Sequence, residues 1–347
     1  MRNKKFYIFL IICCGFLVEF VSIKTTPIPF KIPKNWEKPS YDFSKNPLTE
    51  EGFFLGKNLF YDPILSRDNT ISCASCHLQA TGFTHVDHDL SHGIDGKIGL
   101  RNSIALVNLA WRKDFMWDGG INHLDVQPLA PITSKFEMDE TLQNIVKKLN
   151  QSTYYKSLFK NAFNDTLITG QKTLLAISQF LLQLNSFNSK YDKFIRQEKG
   201  GDFTEQEKNG LKIFRNNCAN CHKEPLFTNN EFENIGLPID SSLNDFGRMN
   251  ITQNPNDFLK FRVPSLRNIQ FTFPYMHDGR FKKLSEVINH YVGGIQNSKT
   301  LSGKLKGKPI LLSHEEKIDV IVFLLTLTDT EFLFNNRFTY PLEQRKK

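Results

Sequence analysis

Two short motifs constrain this chain more than anything else in it: Cys73-Ala74-Ser75-Cys76-His77 and Cys218-Ala219-Asn220-Cys221-His222. In each, two thiols stand three residues apart and a histidine follows at once, the pattern of a c-type haem attachment site. The spacing has a chemical reason. Each thiol adds across one vinyl group of the porphyrin, which holds the next residue under the ring, where its imidazole can bind iron. A redox dithiol does not require the histidine, yet both copies have it. Zinc wants four ligands, and each cluster offers three, far apart in sequence. The chain is therefore read as carrying two covalent haems.

Its 347 residues suit one large or two ordinary domains, and 40% hydrophobic with 23% charged residues is a globular balance. The 31 phenylalanines are available to pack around porphyrin rings. A net charge of +8 favours an acidic redox partner, although a solvated basic surface has the same composition. No nucleic-acid motif is present. Residues 1–23 read as a secretion signal, with basic residues from Arg2 to Lys5 before the apolar run from Phe6 to Val18. That run is short for a membrane span, and Glu19 interrupts it. Cys13 and Cys14 are the only cysteines outside the haem motifs, so no disulfide is expected. Either is an option for a lipid anchor, but Ile12 or Cys13 before it is a poor cleavage residue. Because thioether haem is attached outside the bacterial cytoplasm, the expected address is periplasmic.

Residues 24–46, rich in Pro, Lys and Asn, read as an extended linker or wrapping arm. A first domain is expected over 47–195 and a second over 200–338, with Gly200 and Gly201 in the hinge. They look like an internal repeat, since Gly56-Lys57-Asn58-Leu59-Phe60 precedes the first haem motif as Gly210-Leu211-Lys212-Ile213-Phe214 precedes the second. Apolar periodicity predicts helices over 141–149, 151–162, 173–187, 284–291 and 314–327. Thr204 with Glu207 and Ser313 with Glu316 have capping-box spacing. Stretches 63–72, 78–103 and 223–270 lack periodicity and read as long functional loops. Few strands are convincing. The expected fold is mostly α, two cytochrome-c-like domains, each with one covalent haem, packed face to face.

Between the motifs lies Phe115-Met116-Trp117-Asp118-Gly119-Gly120, followed by Gln127, Pro131 and Phe136-Glu137-Met138. After the second motif come Phe261-Arg262-Val263-Pro264-Ser265-Leu266-Arg267-Asn268 and Pro274-Tyr275-Met276-His277-Asp278-Gly279. This arrangement resembles the bacterial di-haem cytochrome c peroxidases and their relative that matures a tryptophan-derived quinone cofactor. The resemblance runs in order from about Leu55 to Leu327.

It implies that the His77 haem meets peroxide and the His222 haem relays electrons to it. Glu137 would be the distal carboxylate, moving a proton from the near to the leaving peroxide oxygen, with Gln127 and Pro131 shaping the same pocket. Trp117 would lie between the haems as a stepping stone for electrons, while Trp111 has no such match. His85, His88 and His92 share a glycine-punctuated loop, and His92 is the match to a histidine that caps the peroxidatic iron in many members. Asn102, Thr272 and Pro274 match positions that supply oxygens to a calcium ion, a hard cation suited to them.

The sixth ligand of the second haem is where the chain departs from the usual peroxidase pattern. The position that carries methionine in many peroxidases is Tyr291 here, as in the quinone-maturing relative, and Met276 is the competing ligand. Phenolate stabilises ferric iron and lowers the potential, whereas thioether raises it. The leading expectation is a cytochrome-c peroxidase that reduces hydrogen peroxide to water with electrons from a small cytochrome c or cupredoxin. The rivals are an oxidase modifying a protein substrate through high-valent haem and a non-catalytic electron carrier. A carrier needs no proton-handling pocket such as Glu137 with Gln127. A homodimer is compatible with all three.

Overall fold

Two crossed helix pairs carry the architecture. Glu50–Tyr61 packs across Gly170–Leu182, and Glu205–Asn217 packs across His314–Leu325. The computed structural model describes residues 24–341, so the expected signal at 1–23 lies outside the described residues. The repeated glycines explain the crossings. A Cβ on Gly56 would stand 1.9 Å from the Ala176 carbonyl oxygen, and one on Gly210 would stand 2.0 Å from that of Asp319. Only glycine lets the paired backbones approach this closely.

Local chemistry sets the helix ends. Thr204 with Glu207 and Ser313 with Glu316 form the expected capping boxes, and Thr49 Oγ1 accepts the Gly52 amide at 3.0 Å. Ser152 caps Thr153–Phe163 and separates it from Leu142–Gln151. The helix expected over 173–187 is instead Gly170–Leu182. Asn108 draws the chain out of it, since its amide donates to Leu184 O at 2.9 Å and its side-chain oxygen accepts from the Ser186 amide at 3.0 Å. The helix expected over 284–291 is α-helical only over Leu284–Asn289 and widens into a π-helical turn, His290–Gly294. Tyr291 sits in that turn. The last long helix stops at Leu325, two residues early, where the Thr326 hydroxyl donates back to Phe323 O at 2.6 Å.

The fold is mostly helical. The one ladder among the described residues pairs Phe232–Glu233 with Phe261–Arg262 antiparallel. The expected long loops are irregular, punctuated by short 3₁₀ turns. Two apolar clusters form. One gathers Phe60, Phe83, Tyr155, Phe159 and Phe180 around the first helix pair; the other gathers Phe214, Phe227 and Phe323 around the second. The chain end returns to the first cluster through Phe332, Leu333 and Phe338. The arm also spans both. Trp36 meets Trp111 edge-on at 5.0 Å and lies under the Arg267 guanidinium at 4.8 Å. Trp111 donates from Nε1 to Glu37 O at 2.8 Å, a packing role. No helix among the described residues is long and apolar enough to cross a membrane.

Candidate haem-binding sites

The second motif begins at the C-terminal end of Glu205–Asn217, where the Cys218 amide still bonds to Phe214 O. The following turn brings His222 Nδ1 to Phe227 O at 3.1 Å and Pro264 O at 3.2 Å. A carbonyl can only accept, so Nδ1 carries the proton and Nε2 is left as the free lone pair. Burial holds the His222 ring neutral, with its pKa pushed down to about 4. Neutral imidazole with an oriented second nitrogen is the form that ligates metal. Cys218, Cys221, His222, Met276 and Tyr291 line one cavity of about 200 Å³. The cavity is mostly apolar, with Phe214, Leu266, Ile288 and Leu324 in its wall.

The first motif repeats this local design. Cys73–Cys76 makes one helical turn, and His77 Nδ1 donates to Phe83 O at 2.8 Å. Burial again pushes the His77 pKa down to about 4. Thr84 O accepts the Leu78 amide and Phe83 itself is fully buried, which fixes the carbonyl that orients His77. Cys76 Sγ reaches His92 O at 3.4 Å, and the Ile94 amide donates to Glu137 O at 2.8 Å. The loop bearing His92 is thereby tied to the turn bearing Glu137. Gly93 is required at that join, since its Cβ would stand 2.0 Å from Phe136 O. Burial holds the Glu137 carboxyl above the usual glutamate range, and its charge is felt by both Cys76 and Cys73. Gln127 lies in the turn before the short helix Leu129–Thr133, and Glu137 in the turn after it; Gln127 Nε2 points at Met116 Sδ, 3.7 Å away.

The three loop histidines form a file of rings. His85 and His88 are stacked at 5.2 Å, and His88 and His92 lie 4.1 Å apart. His85 Nδ1 is buried without a hydrogen-bond partner. Burial, then the neighbouring His88, lowers the pKa of His85.

The two halves meet at Trp117. Its indole N–H donates to Asn102 O at 2.8 Å, and the Asn102 amide donates to His277 O at 2.7 Å. The His277 ring stacks on Phe261 at 3.6 Å. Arg101 fastens the same junction, with 2.6 Å contacts to Asp118 and to Asp245. Asn102, Thr272 and Pro274, the expected calcium positions, line the same cavity as Trp117. Gly82 packs against Thr272, where a Cβ would lie 2.9 Å from its methyl group.

Tyr291 and Met276, the rival sixth ligands, both line the cavity beside the second haem motif, the second cavity of the pair of haem sites. Burial first, and then Cys218 and Cys221, push the Tyr291 pKa upward. Tyr291 is half-buried, and its hydroxyl makes no hydrogen bond to the described residues.

The repeat extends beyond the paired glycine helices. Phe115 N donates to Ile121 O at 2.7 Å, and Tyr275 N donates to Phe281 O at 2.7 Å. Between them Met116 and Met276 both have positive φ, 67° and 74°, as do Gly119 and Gly279. Trp117 and His277 thus occupy equivalent places. The shared spacing of Met, Asp and Gly in 116–119 and 276–279 is a signal of this in the sequence. Arg112 and the specific place of Arg262 in the cavity wall have no such signal.

These residues fit haem c. Two pairs of thiols, two neutral imidazoles with fixed Nε2 lone pairs, and an apolar cavity behind one of them suit a thioether-bound, histidine-ligated macrocycle.

The family model for di-haem cytochrome c peroxidases matches residues 50–200. The methylamine utilization protein MauG of Methylorubrum extorquens is 33% identical over 293 residues, covering 81% of this chain and 79% of the relative. The cytochrome c551 peroxidase of Nitrosomonas europaea is 31% identical over 278 residues, 79% of each chain. A crystal structure of a MauG-like protein associated with microbial copper homeostasis aligns with a TM-score of 0.82 and 31% identity, covering 91% of this chain and 99% of that one. The diheme peroxidase BthA of Burkholderia thailandensis shares the fold, with a TM-score of 0.70 at 20% identity. The chain belongs to the di-haem cytochrome c peroxidase family.

Proposed function

We propose that this protein reduces hydrogen peroxide to water in the periplasm, taking two electrons from a small cytochrome c or cupredoxin: H2O2 + 2 H⁺ + 2 e⁻ → 2 H2O. Residues 47–195 hold the haem that meets peroxide, and 200–338 hold the one that receives electrons. The observation that carries the reading is the place of Glu137, half-buried on the turn that holds the His92 loop, itself in contact with Cys76, with desolvation raising its pKa. A carrier of electrons has no use for a desolvated acid at that place.

Bound iron supplies the Lewis acid and the electrons for O–O cleavage. His77, oriented by Phe83 O, would hold the first haem through Nε2. Glu137 takes the proton from the near peroxide oxygen and returns it to the leaving one. Gln127 orients peroxide beside it. Trp117, anchored through its indole N–H, offers a π system between the two centres. Asn102, Thr272 and Pro274 offer oxygens for a calcium ion at the junction. His92, on the loop held against Cys76 and the Glu137 turn, would be the side chain available to cap the first haem at rest.

A second reading is favoured by one observation. Tyr291 presents to the second cavity a hydroxyl without a partner among the described residues, and some relatives are named MauG. A tyrosine ligand suits an oxidase that draws its electrons from side chains of a protein substrate. Steady-state peroxide turnover with a reduced cytochrome, measured as isolated and half-reduced, separates the readings. Rapid turnover supports the peroxidase; peroxide consumption only in the presence of an oxidisable protein supports the oxidase.

A further inference from the structure

Two arginines stand buried in the wall of the second cavity without any carboxylate. Arg262 is 2% exposed and Arg112 7%. Arg262 donates from Nε to Met116 O at 3.1 Å and from Nη1 to Asn230 O at 3.5 Å, while its Nη2 is buried with no partner. Arg112 makes one hydrogen bond, from Nη2 to Ala105 O at 3.4 Å. Among the residues lining the cavity they are the only arginines or lysines.

Other buried arginines of this protein are treated differently. Arg267, fully buried, makes two 2.9 Å bonds to the Asp192 carboxylate. Arg101 holds Asp118 and Asp245. Asp114 and Asp118 exert a charge effect on Arg262, yet neither hydrogen-bonds to it. Asp118 is already engaged by Arg101 and by the Gly120 amide. An unpaired buried charge is costly, and two of like sign in one wall are costlier. Burial, then the charge of Arg262, pushes the Arg112 pKa down to about 9. Burial pushes Arg262 down to about 10. The missing partner is an anion, and it must reach both guanidinium groups from inside the cavity.

We propose that Arg112 and Arg262 are the seat for the propionates of the haem held by Cys218, Cys221 and His222. The two propionates are the charged groups on the edge of a haem, and carboxylate matches the fork of a guanidinium. The inference rests on a haem filling this cavity and not on the peroxide reaction. Arg262 lies in the strand whose amide donates to Trp117 O at 2.7 Å, and Arg112 follows Trp111 directly. The propionate edge therefore faces the junction between the halves. The thioether edge stays with the Cys218–Cys221 turn. Two fixed positive charges at that edge also oppose oxidation of the iron and raise its reduction potential.

The test uses the full-length protein with both haems attached, as single and double Arg112→Gln and Arg262→Gln variants. Mass spectrometry and circular dichroism check haem content and fold. Spectroelectrochemistry should show the second haem shifted to lower potential, furthest in the double variant, with the first haem unmoved. Resonance Raman should show the propionate bending modes of the second haem shifted. If the glutamine variants do not fold, Arg112→Lys and Arg262→Lys keep the charge, and should shift the propionate modes while largely preserving the potential. Unchanged modes and potentials, or a shift confined to the first haem, overturn the assignment. Neither readout depends on peroxide turnover.

Discussion

The Asn102 backbone ties Trp117 to His277: its amide donates to the His277 carbonyl at 2.7 Å and its own carbonyl accepts the Trp117 indole N–H at 2.8 Å. Trp117 and His277 occupy equivalent places in the two halves, so this bridge joins the repeats at the residue expected to lie between the haems. The indole is held by its polar end and buried to 9% exposure. Trp117→Phe keeps most of the apolar volume but loses the donor and the readily oxidised ring. It should cost about 1 kcal/mol of stability, spare haem incorporation, and slow electron delivery between the centres. Stopped-flow rates equal to those of the unsubstituted protein would leave Trp117 with packing alone.

Glu137→Gln should lower peroxide turnover by at least about a hundredfold, the lower range for a positioned acid–base group. The pH profile gives a second readout. Burial raises the Glu137 pKa, so the carboxylate needed to take the first proton is lost at a higher pH than for a free glutamate. Turnover should fall as pH drops through that raised value, and the limb should vanish in the glutamine variant. An unchanged acid limb would assign it to another group.

Gly56→Ala and Gly210→Ala should each destabilise the fold by about 1–3 kcal/mol, the usual cost of overpacking. The added methyl meets a backbone carbonyl in both cases, so a rotamer change cannot relieve it. Thermal melts of the two variants read this directly. A midpoint equal to that of the unsubstituted protein at either position would mean that the helix pair there slides apart freely.

Lys299, Lys306 and Lys308 are exposed and make no ion pair among the described residues, whereas Lys304 between them is held by Glu231 and Glu233. Their segment covers the second cavity through Ser302, Leu305 and Ile310. An acidic donor approaching that haem would feel them strongly only at low salt, since the Debye length is about 8 Å at physiological ionic strength. Converting the three to glutamate should raise KM for an acidic donor and flatten its salt dependence, with haem spectra unchanged. Salt dependence that survives the triple variant would move the docking surface elsewhere.

How far the sequence discloses the structure depends on how local each feature is. Haem motifs, capping boxes and the Gly56/Gly210 repeat are written in a few adjacent residues, and local geometry is enough to read them. Helix ends at Leu182 and Leu325 depend on side chains that take backbone partners, Asn108 from a distant loop and Thr326 from the next turn; apolar periodicity continues past both. Arg262 could be quoted within its motif, but its lack of a carboxylate is a fact of three dimensions. The motif that contains it turns out to be a set of unlike tasks. Pro264 O orients His222, Ser265 donates to Leu226 O, Arg267 pairs with Asp192, and Asn268 accepts the Asp329 amide.

The sixth ligand of the second haem separates the two enzyme readings most sharply. Tyr291 lies in the π-helical turn His290–Gly294, a widening often found at functional sites. It lines the cavity, and its hydroxyl finds no partner among the described residues. Met276 has an equivalent in Met116, at the same place in the other half and with the same positive φ, and Met116 Sδ is approached by Gln127 Nε2. A residue kept at the same strained position in both halves is explained by the shape of the turn, without iron. The expected ligand is therefore Tyr291. Near-infrared absorption and magnetic circular dichroism should show no methionine–iron charge-transfer band in the unsubstituted protein, and Met276→Leu should change neither. Tyr291→Phe should alter the second haem's ferric spectrum and raise its potential, because an anionic ligand that favours ferric iron is lost. A charge-transfer band that disappears only in Met276→Leu would put methionine on the iron and favour a high-potential peroxidase.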